Sequence, residues 1–364
     1  LPRLKPRRFY DLVVEVALVR AGPIQGGRVH PYLRRRNGEE PGSSPHPSLE
    51  PILARTLGVP LFQEQVMQIA IVGAGYTGGE ADQLRRDMAA WKKTGRLMRH
   101  QDALLRGFSA RGISAEFAAR LFEQIKGFGE YGFPESHAAS FALLVYASAW
   151  QKAYFPAHFA CALVNSQPMG FYSVSTILQD AQRHGVEVRD VSVSVSQWDS
   201  TLEPASSKHA IQSRVPEAAR AVRLGFRQIK GFREASARRI ESARVDAAFG
   251  GIDDLIRRTG LRKDEIERLA EAGALESLVP GRRNAVWQAR APRVAGLFTK
   301  IELIEPGVVL PPLRAAEQLL LDYERKGLSV SDHPMRHLRD RLRTRGVVTA
   351  AELAQAEQCR PVSV

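Results

Sequence analysis

Apolar residues recur at helical spacing through most of the first half of the chain. Between Phe9 and Arg20 they return every third or fourth position until Ala21-Gly22-Pro23, which predicts a helix that leads into a loop. Short helices are predicted to predominate from Leu49 to Ala118. From Ser136 to Phe155 the pattern is apolar on nearly every side, which is typical of a helix buried against its neighbours. Residues 1–165 are therefore expected to form one mostly helical domain.

The pattern becomes mixed beyond Ser166. Thr176 to Gly185 has the spacing of a short amphipathic helix, and the alternating valines from Val186 to Val195 indicate extended segments. We therefore predict a small mixed α/β connector over residues 166–215. Further along the chain, Ala315 to Lys326 is predicted to form one more helix.

A turn between two apolar segments lies within Val222 to Arg233, and this segment resembles a helix-hairpin-helix module. Such a hairpin presents backbone N–H groups to a phosphate, which gives binding to duplex DNA without regard to sequence. Lys230, Gly231 and Arg233 are the predicted DNA contacts. A second apolar unit, Ile252 to Leu278, looks like the partner of this hairpin. Because Arg233 stands where the usual hairpin has a second glycine, a purely structural helical pair remains the alternative.

A glycine pattern, Gly73-Ala74-Gly75-Tyr76-Thr77-Gly78, matches the dinucleotide-binding fingerprint GxGxxG. That fingerprint functions only between a strand and a helix, with an acidic residue at the end of a second strand about twenty positions later. The second strand is missing, because polar residues interrupt Leu97 to Leu105, while Gln63 to Gln68 has a helical pattern. We favour a junction between two helices and keep a dinucleotide-binding oxidoreductase as an alternative.

The composition is that of a globular protein with an unusually basic charge. Of the 364 residues, 44% are hydrophobic and 25% charged, and no apolar run has the length of a membrane span. The net charge of +13 comes from arginine spread along the chain and favours nucleic acid as a partner, although an arginine-rich composition alone would also produce it. The run Arg34 to Arg36 is expected to contact a DNA backbone or to be plain surface charge.

Cys161 and Cys359 have no metal-site or disulfide spacing, which fits a reducing cytoplasm. Because the chain starts at Leu1 without methionine, we expect it to begin within a longer protein.

A glycine-punctuated loop, Gly127 to Pro134, leads into the long apolar helix. Glycine permits tight backbone turns, and the first N–H groups of a helix carry partial positive charge, so a loop of this kind can hold an anion. Ser136 and His137 stand where that anion would bind. Ser136 also has the residue type and position of a helix cap.

Several separated blocks, in order, make the chain similar to C-family bacterial DNA polymerases, the polymerase III alpha subunits and their error-prone relatives. The run Asn165 to Tyr172 resembles the error-prone branch, whereas Pro134-Glu135 stands where replicative members have Asn-Lys. The matching blocks are Leu4-Lys5-Pro6, Leu18-Val19-Arg20 with Gly22-Pro23, Phe62 to Ala70, Gly79 to Asp82 with Leu84-Arg85-Arg86, and Tyr131-Gly132-Phe133 with Ser136-His137.

This resemblance implies a mainly α fold. A helical fingers domain (1–165) would be followed by the mixed connector (166–215), a tandem helix-hairpin-helix module (216–280) and a connector toward an OB-fold (281–364). It implies template-directed DNA synthesis in the cytoplasm, induced by damage and serving translesion or repair synthesis. The implied partners are primer–template DNA, deoxynucleoside triphosphates, a sliding clamp and accessory mutagenesis proteins, with no membrane.

The resemblance also implies nucleotide-binding residues. A planar guanidinium donates two parallel hydrogen bonds to phosphate oxygens, so Arg85 and Arg86 are the candidates that hold the incoming triphosphate, together with Ser136 and His137. From the residue types alone, a solvated helix face is the preferred explanation of the arginine pair, and only the resemblance reverses this preference. Lys92 and Lys93 are predicted to contact DNA or phosphate, although Trp91 departs from the lysine-rich pattern of the family.

Polymerase chemistry requires Mg²⁺ ions held by carboxylates. Asp11, Asp82 and Asp87 lack the Asp-x-Asp spacing of the family's catalytic palm domain, which by the family's domain order would precede Leu1. We therefore expect Mg²⁺ in the whole enzyme, with ligands outside this chain, and no polymerase activity from the chain alone. A non-catalytic helical DNA-binding protein remains the second interpretation.

Overall fold

The computed structural model describes residues 4–21, 24–25, 28–29, 31–42, 46–89, 96–128, 134–212, 215, 219–291, 310–353 and 355. Contacts within it divide the chain into two units, Leu1–Ala149 and Trp150–Val364. Helices predominate in both units, so the predicted mainly α fold class is confirmed.

The first unit is built from helices and one small hairpin. The hairpin pairs β1 (Ile24–Gln25) antiparallel with β2 (Arg28–Val29). Short 3₁₀ turns cover Pro47–Leu49, Ala54–Thr56 and Arg96–His100. The α-helices, in chain order, are α1 (Phe9–Ala21), α2 (Pro31–Arg36), α3 (Glu50–Leu53), α4 (Gln63–Ala74), α5 (Gly78–Ala89), α6 (Gln101–Ala110), α7 (Ala115–Phe128) and α8 (Glu135–Tyr154), whose last five residues belong to the second unit.

Two clusters of buried side chains hold this unit together. One joins α1 and α2 to the segment that leads into α4, through residues such as Val14, Tyr32 and Phe62. The other joins α4, α5, α6 and α7 through residues such as Leu84 and Phe108. The predicted helix at Phe9 is confirmed as α1.

The glycine pattern lies at a junction between two helices. Helix α4 ends at Ala74, Gly75 has a φ of +76°, and α5 begins at Gly78. A Cβ atom on Gly73 would lie 2.6 Å from Cε1 of Phe108, so glycine permits the close approach of α6. Residues 63–89, all of which the structure describes, contain no strand. The favoured helix junction is confirmed, and the dinucleotide-binding interpretation is wrong because it requires a strand before Gly73.

Helix α8 differs from its predicted environment. Ala138 and Ala142 are fully buried, but Leu143 and Leu144 are each 61% exposed and Tyr146 is 59% exposed. The prediction of a helix buried on all sides is therefore wrong for this structure. Apolar periodicity identifies side chains that avoid water, and it carries no information about where the covering surface lies.

The second unit combines helices with a three-stranded sheet in the order β3-β5-β4. Strand β3 (Val188–Arg189) is parallel to β5 (Arg220–Arg223), and β4 (Thr201–Pro204) is antiparallel to it. A 3₁₀ turn covers Phe226–Gln228. The α-helices are α9 (Pro156–Asn165), α10 (Val174–Arg183), α11 (Ser207–Gln212), α12 (Glu234–Asp246), α13 (Ile252–Thr259), α14 (Lys263–Glu271), α15 (Arg282–Arg290), α16 (Ala315–Lys326), α17 (Pro334–Arg343) and α18 (Ala350–Leu353).

One continuous hydrophobic cluster runs through the second unit. It joins α9 and α10, through residues such as Val164 and Leu178, to the sheet and to helices α12–α15. Helix α9 thus packs in this unit, although the sequence-based domain boundary lies after it. The predicted helices at Thr176 and at Ala315 are both present, as α10 and α16, the latter with the predicted bounds.

Candidate nucleic-acid interface

Two turns of the second unit share one backbone arrangement. The first turn (Gly231-Phe232-Arg233) precedes α12, and the second turn (Gly260-Leu261-Arg262) precedes α14. The two glycines have φ of +74° and +60°, which favours glycine because other residues carry a Cβ. The apolar residue of each turn is buried, and each arginine is the extended N-cap residue of the following helix. The sequence interpretation missed Arg262, although the repeated Gly-apolar-Arg pattern could have revealed it.

The first turn exposes donors without acceptors. Within the described part of the chain, the N–H groups of Gly231, Arg233, Glu234 and Ala235 have no hydrogen-bond acceptor. The exposed guanidinium of Arg233 likewise forms no hydrogen bond or ion pair with any residue that the structure describes. N–H groups without acceptors beside an unpaired cation form an arrangement suited to a phosphate.

Lys230 and Gly231 also have structural contacts, which the sequence did not predict. The backbone N–H of Lys230 donates to the carbonyl of Arg325 at 2.8 Å, and its Nζ donates to the carbonyl of Tyr323 at 3.0 Å. Arg268 Nη1 donates to the carbonyl of Gly231 at 2.7 Å. Lys230 therefore anchors the turn to the end of α16, where a cation also interacts favourably with the helix dipole. Because an ammonium group has three donors, this contact leaves others for a ligand.

The second turn is more acidic than the first. Arg262 Nη2 lies 3.4 Å from Asp264 Oδ2, and Arg262 Nε lies 3.6 Å from Glu265 Oε2. The N–H of Gly260 donates to the carbonyl of Ile256 at 2.8 Å and closes α13. Carboxylates therefore neutralise the guanidinium of this turn, and its glycine N–H is already used.

Glu265 connects the two hairpins from a buried position, with 2% of the residue exposed. Its carboxylate accepts hydrogen bonds from the hydroxyl of Ser236 on α12 and from the N–H of Arg262 at 2.9 Å. Arg239 Nη2 lies 3.5 Å from the same carboxylate, and Arg239 Nη1 donates to the carbonyls of Thr259 and Gly260. Burial acts to raise the pKa of Glu265, but the hydrogen bonds from Ser236 and Arg262 outweigh burial and lower the pKa.

In the first unit, Arg85 and Arg86 hold the same carboxylate. Arg85 Nε donates to Asp82 Oδ1 at 3.0 Å, and Arg86 Nη2 donates to Asp82 Oδ2 at 2.5 Å. The hydrogen bonds from Arg85 and Arg86 lower the pKa of Asp82. The spacings i,i+3 and i,i+4 explain how two adjacent arginines reach one acid. Neither arginine forms a hydrogen bond or ion pair with Ser136 or His137 in the described structure.

Helix α5 is fixed by a buried pair behind these arginines. Asp87 Oδ2 lies 3.0 Å from His100 Nε2, and Gln83 Nε2 donates to Asp87 Oδ1 at 3.1 Å. Burial acts to raise the pKa of Asp87, but hydrogen bonds from His100 and Gln83 lower it overall. The pair ties α5 to the 3₁₀ turn at 96–100 and positions the arginines on the exposed side.

Two carboxylates lie at the start of α8, one from Glu135 of this helix and one from Glu64 of α4. The helix begins at Glu135, so Ser136 lies in its first turn and is not the predicted cap. The N–H of Glu135 donates to Glu64 Oε2 at 3.0 Å, and Tyr10 Oη donates to Glu135 Oε1 at 2.7 Å. A protein carboxylate thus already uses part of the predicted anion site. Ser136 and His137 are exposed, and the ring of His137 packs 4.6 Å from the ring of Phe141.

Some predicted features lie outside the described residues. They include Lys92, Lys93 and residues 129–133 of the glycine-punctuated loop. Gly127 and Phe128 form the end of α7.

The basic run at the end of α2 has internal roles. Arg36 forms an ion pair with Asp11 at 2.8 Å, and Arg35 Nη1 donates to the carbonyl of Leu57 at 2.6 Å. Arg34 Nε lies 2.7 Å from Glu40 Oε1. The basic run therefore makes contacts within the protein. The sequence predicted a DNA-backbone contact or plain surface charge, and neither prediction included these contacts.

The described residues include no group of three or more histidine, cysteine, aspartate or glutamate side chains that could hold a metal ion. The residues that the structure describes therefore do not fit a metal centre. Among the same residues, no helix is long and apolar enough to cross a membrane.

Two family models match parts of the chain. Residues 1–112 match the bacterial DNA polymerase III alpha subunit finger domain, and residues 185–285 match a helix-hairpin-helix motif. The second match contains both turns described above.

Proteins named error-prone DNA polymerase are similar to the whole chain. One from Pseudomonas fluorescens Pf-5 is 56% identical over 366 residues, which is 100% of this chain and 35% of that protein. Those from Pseudomonas aeruginosa PAO1 and Anaeromyxobacter dehalogenans are 53% and 50% identical over 100% of this chain, and over 34% and 32% of their own lengths. The chain thus spans about a third of the length of these relatives.

Proposed function

Because the chain belongs to the bacterial DNA polymerase III alpha-like family, we propose that it forms the part of an error-prone DNA polymerase that binds duplex DNA and the incoming nucleotide. The observation that carries this proposal is the first turn, where N–H donors and the Arg233 guanidinium have no partner among the described residues. The helix-hairpin-helix match over residues 185–285 supports the same role.

For DNA, we propose that Gly231 and Arg233 contact one backbone phosphate. The phosphate accepts from the N–H groups of the turn and pairs with the guanidinium, so recognition does not depend on base sequence. Lys230 holds the turn against α16 through its backbone N–H and one Nζ hydrogen bond, and its ammonium group offers the remaining donors to the same strand. Lys92 and Lys93 are proposed as further backbone contacts.

For the nucleotide, we propose that Arg85 and Arg86 bind the triphosphate. Their present partner, Asp82, is half-exposed, and ion pairs of that kind contribute little. A triphosphate carries more charge and accepts bidentate hydrogen bonds, so it can take the arginines from Asp82. Ser136 and His137 are proposed to contact the same nucleotide through their exposed side chains, since Glu64 already accepts the first N–H of α8.

At the level of the whole protein, we propose template-directed DNA synthesis that depends on Mg²⁺. This proposal extends to damage-induced translesion or repair synthesis in the cytoplasm, with a sliding clamp and accessory mutagenesis proteins as partners. The names of the relatives support the error-prone polymerase role.

The DNA-binding role is tested by fluorescence anisotropy of the purified chain with primed DNA at two salt concentrations. We expect Arg233→Ala to weaken binding for all sequences and to reduce the salt dependence by about one phosphate contact. Arg257→Ala is the matched control, because Arg257 lies on α13 outside both turns, with a 79% exposed side chain. Equal effects of the two substitutions would exclude the first turn as the contact. Magnesium-dependent primer extension in parallel should give no product from the chain alone.

A further inference from the structure

Helix α8 carries exposed large apolar side chains at Phe141, Leu143, Leu144, Val145 and Tyr146. Ala138 and Ala142 are buried against the cluster of α1 and α2. Because successive helical residues are about 100° apart, Leu143 and Leu144 point away from these alanines and form the exposed face, while Val145 and Tyr146 are exposed on the same side as the alanines. An exposed contiguous group of large apolar side chains usually marks an interaction surface.

The charge of the helix indicates what kind of surface covers this face. Between Glu135 and Lys152, α8 contains no aspartate, glutamate, lysine or arginine. A surface without cations does not suit a nucleic-acid backbone, whose binding depends on neutralising phosphates. The helix also does not meet the requirements of a membrane span. The chemistry that fits is an apolar protein surface.

The length of the relatives indicates where that surface lies. They match this chain over its whole length, and about two thirds of each relative lies outside the match. We propose that the exposed face of α8 packs against an apolar surface of the polymerase polypeptide outside these 364 residues. This inference rests on the proposed function, because it takes the chain to work within a longer polymerase.

The test uses a chimera in which these 364 residues replace the matched region of the Pseudomonas fluorescens polymerase. A photo-cross-linking amino acid at Leu144 should form cross-links with peptides outside the 364 residues, identified by mass spectrometry. The same group at Val245 on α12 is the matched control, because Val245 is 83% exposed but isolated. Cross-links from Leu144 to a second copy, or no more cross-links than from Val245, would overturn the proposal.

A second measurement compares stability in two contexts. Leu144→Asp should leave the melting temperature of the isolated chain unchanged, because the side chain is exposed there, but lower that of the chimera by several degrees. Val245→Asp should change neither. A fall of equal size in both contexts, or a fall in neither, would contradict the proposal. Primer extension by the unmodified chimera separates the two ideas: a folded chimera without activity counts against the proposed function, while cross-linking and melting still report on α8.

Discussion

The first and second turns of the second unit have the same backbone and different electrostatics. Both place a glycine with positive φ before a buried apolar residue and an extended arginine. In the second turn Asp264 and Glu265 lie beside Arg262, whereas Arg233 has no partner among the described residues. A repeated backbone geometry therefore does not specify a binding site. The side chains around each turn decide whether its donors are available to a ligand.

Glu265 makes the second turn structural. Its carboxylate receives the Ser236 hydroxyl, the Arg262 N–H and the Arg239 guanidinium, so the second turn stabilises the position of α12, which follows the first. We propose that the first turn binds DNA and that the second turn supports it, and substitutions test this difference.

The largest expected effect is from Glu265→Ala. Removing the buried carboxylate leaves the Ser236 hydroxyl and the Arg262 N–H without this acceptor, and losing two hydrogen bonds to a charged group costs about 3 kcal/mol. Urea unfolding measures the change. Glu276→Ala is the matched control, because Glu276 is an exposed glutamate that follows α14 in the same unit. If both variants unfold at the same urea concentration, Glu265 does not connect the hairpins.

The glycines provide the next test. Gly231→Ala and Gly260→Ala both place a Cβ on a residue with positive φ, and each should lower the free energy of unfolding by about 1 kcal/mol. Only Gly231→Ala should also weaken DNA binding, because the added Cβ disfavours the positive φ and so displaces the one glycine N–H that is available. Anisotropy and urea unfolding on the same samples separate the two effects. Equal loss of DNA affinity in both variants would mean that both turns contact DNA.

Acid should weaken the supporting turn. The folded-state pKa of Glu265 is lowered below the ordinary value of 4.5, so its contribution is complete above about pH 4.5 and is lost as the pH falls through the lowered pKa. The stability difference between the wild-type chain and Glu265→Gln should therefore be largest near neutral pH and shrink below about pH 4.5. Urea unfolding from pH 7 to pH 3 measures it. A difference that is independent of pH would show that the ionised carboxylate is not responsible.

Local pattern predicted much of the fold and less of the site. Helices α1 and α16 and the glycine junction at Gly75 follow from periodicity and turn chemistry, which depend on neighbouring residues. The anchoring of Lys230 by Tyr323 depends on a helix more than ninety positions later, which no local pattern encodes. The shared acid of Arg85 and Arg86 lies within one helical turn and could have been predicted from its spacing.

The smallest expected effect comes from making the second turn resemble the first. Asp264 lies 3.4 Å from Arg262 Nη2 and 3.5 Å from Arg268 Nη1, so Asp264→Asn removes one negative charge beside two arginines. Because these pairs are exposed, stability should change by less than about 0.5 kcal/mol. DNA affinity should rise about twofold at low salt and less at high salt, since exposed charges are screened. Anisotropy at the two salt concentrations measures this rise, with Asp253→Asn on α13 as the control. A gain as large as the loss from Arg233→Ala would mean that the carboxylate, and not the glycine N–H, is what separates the two turns.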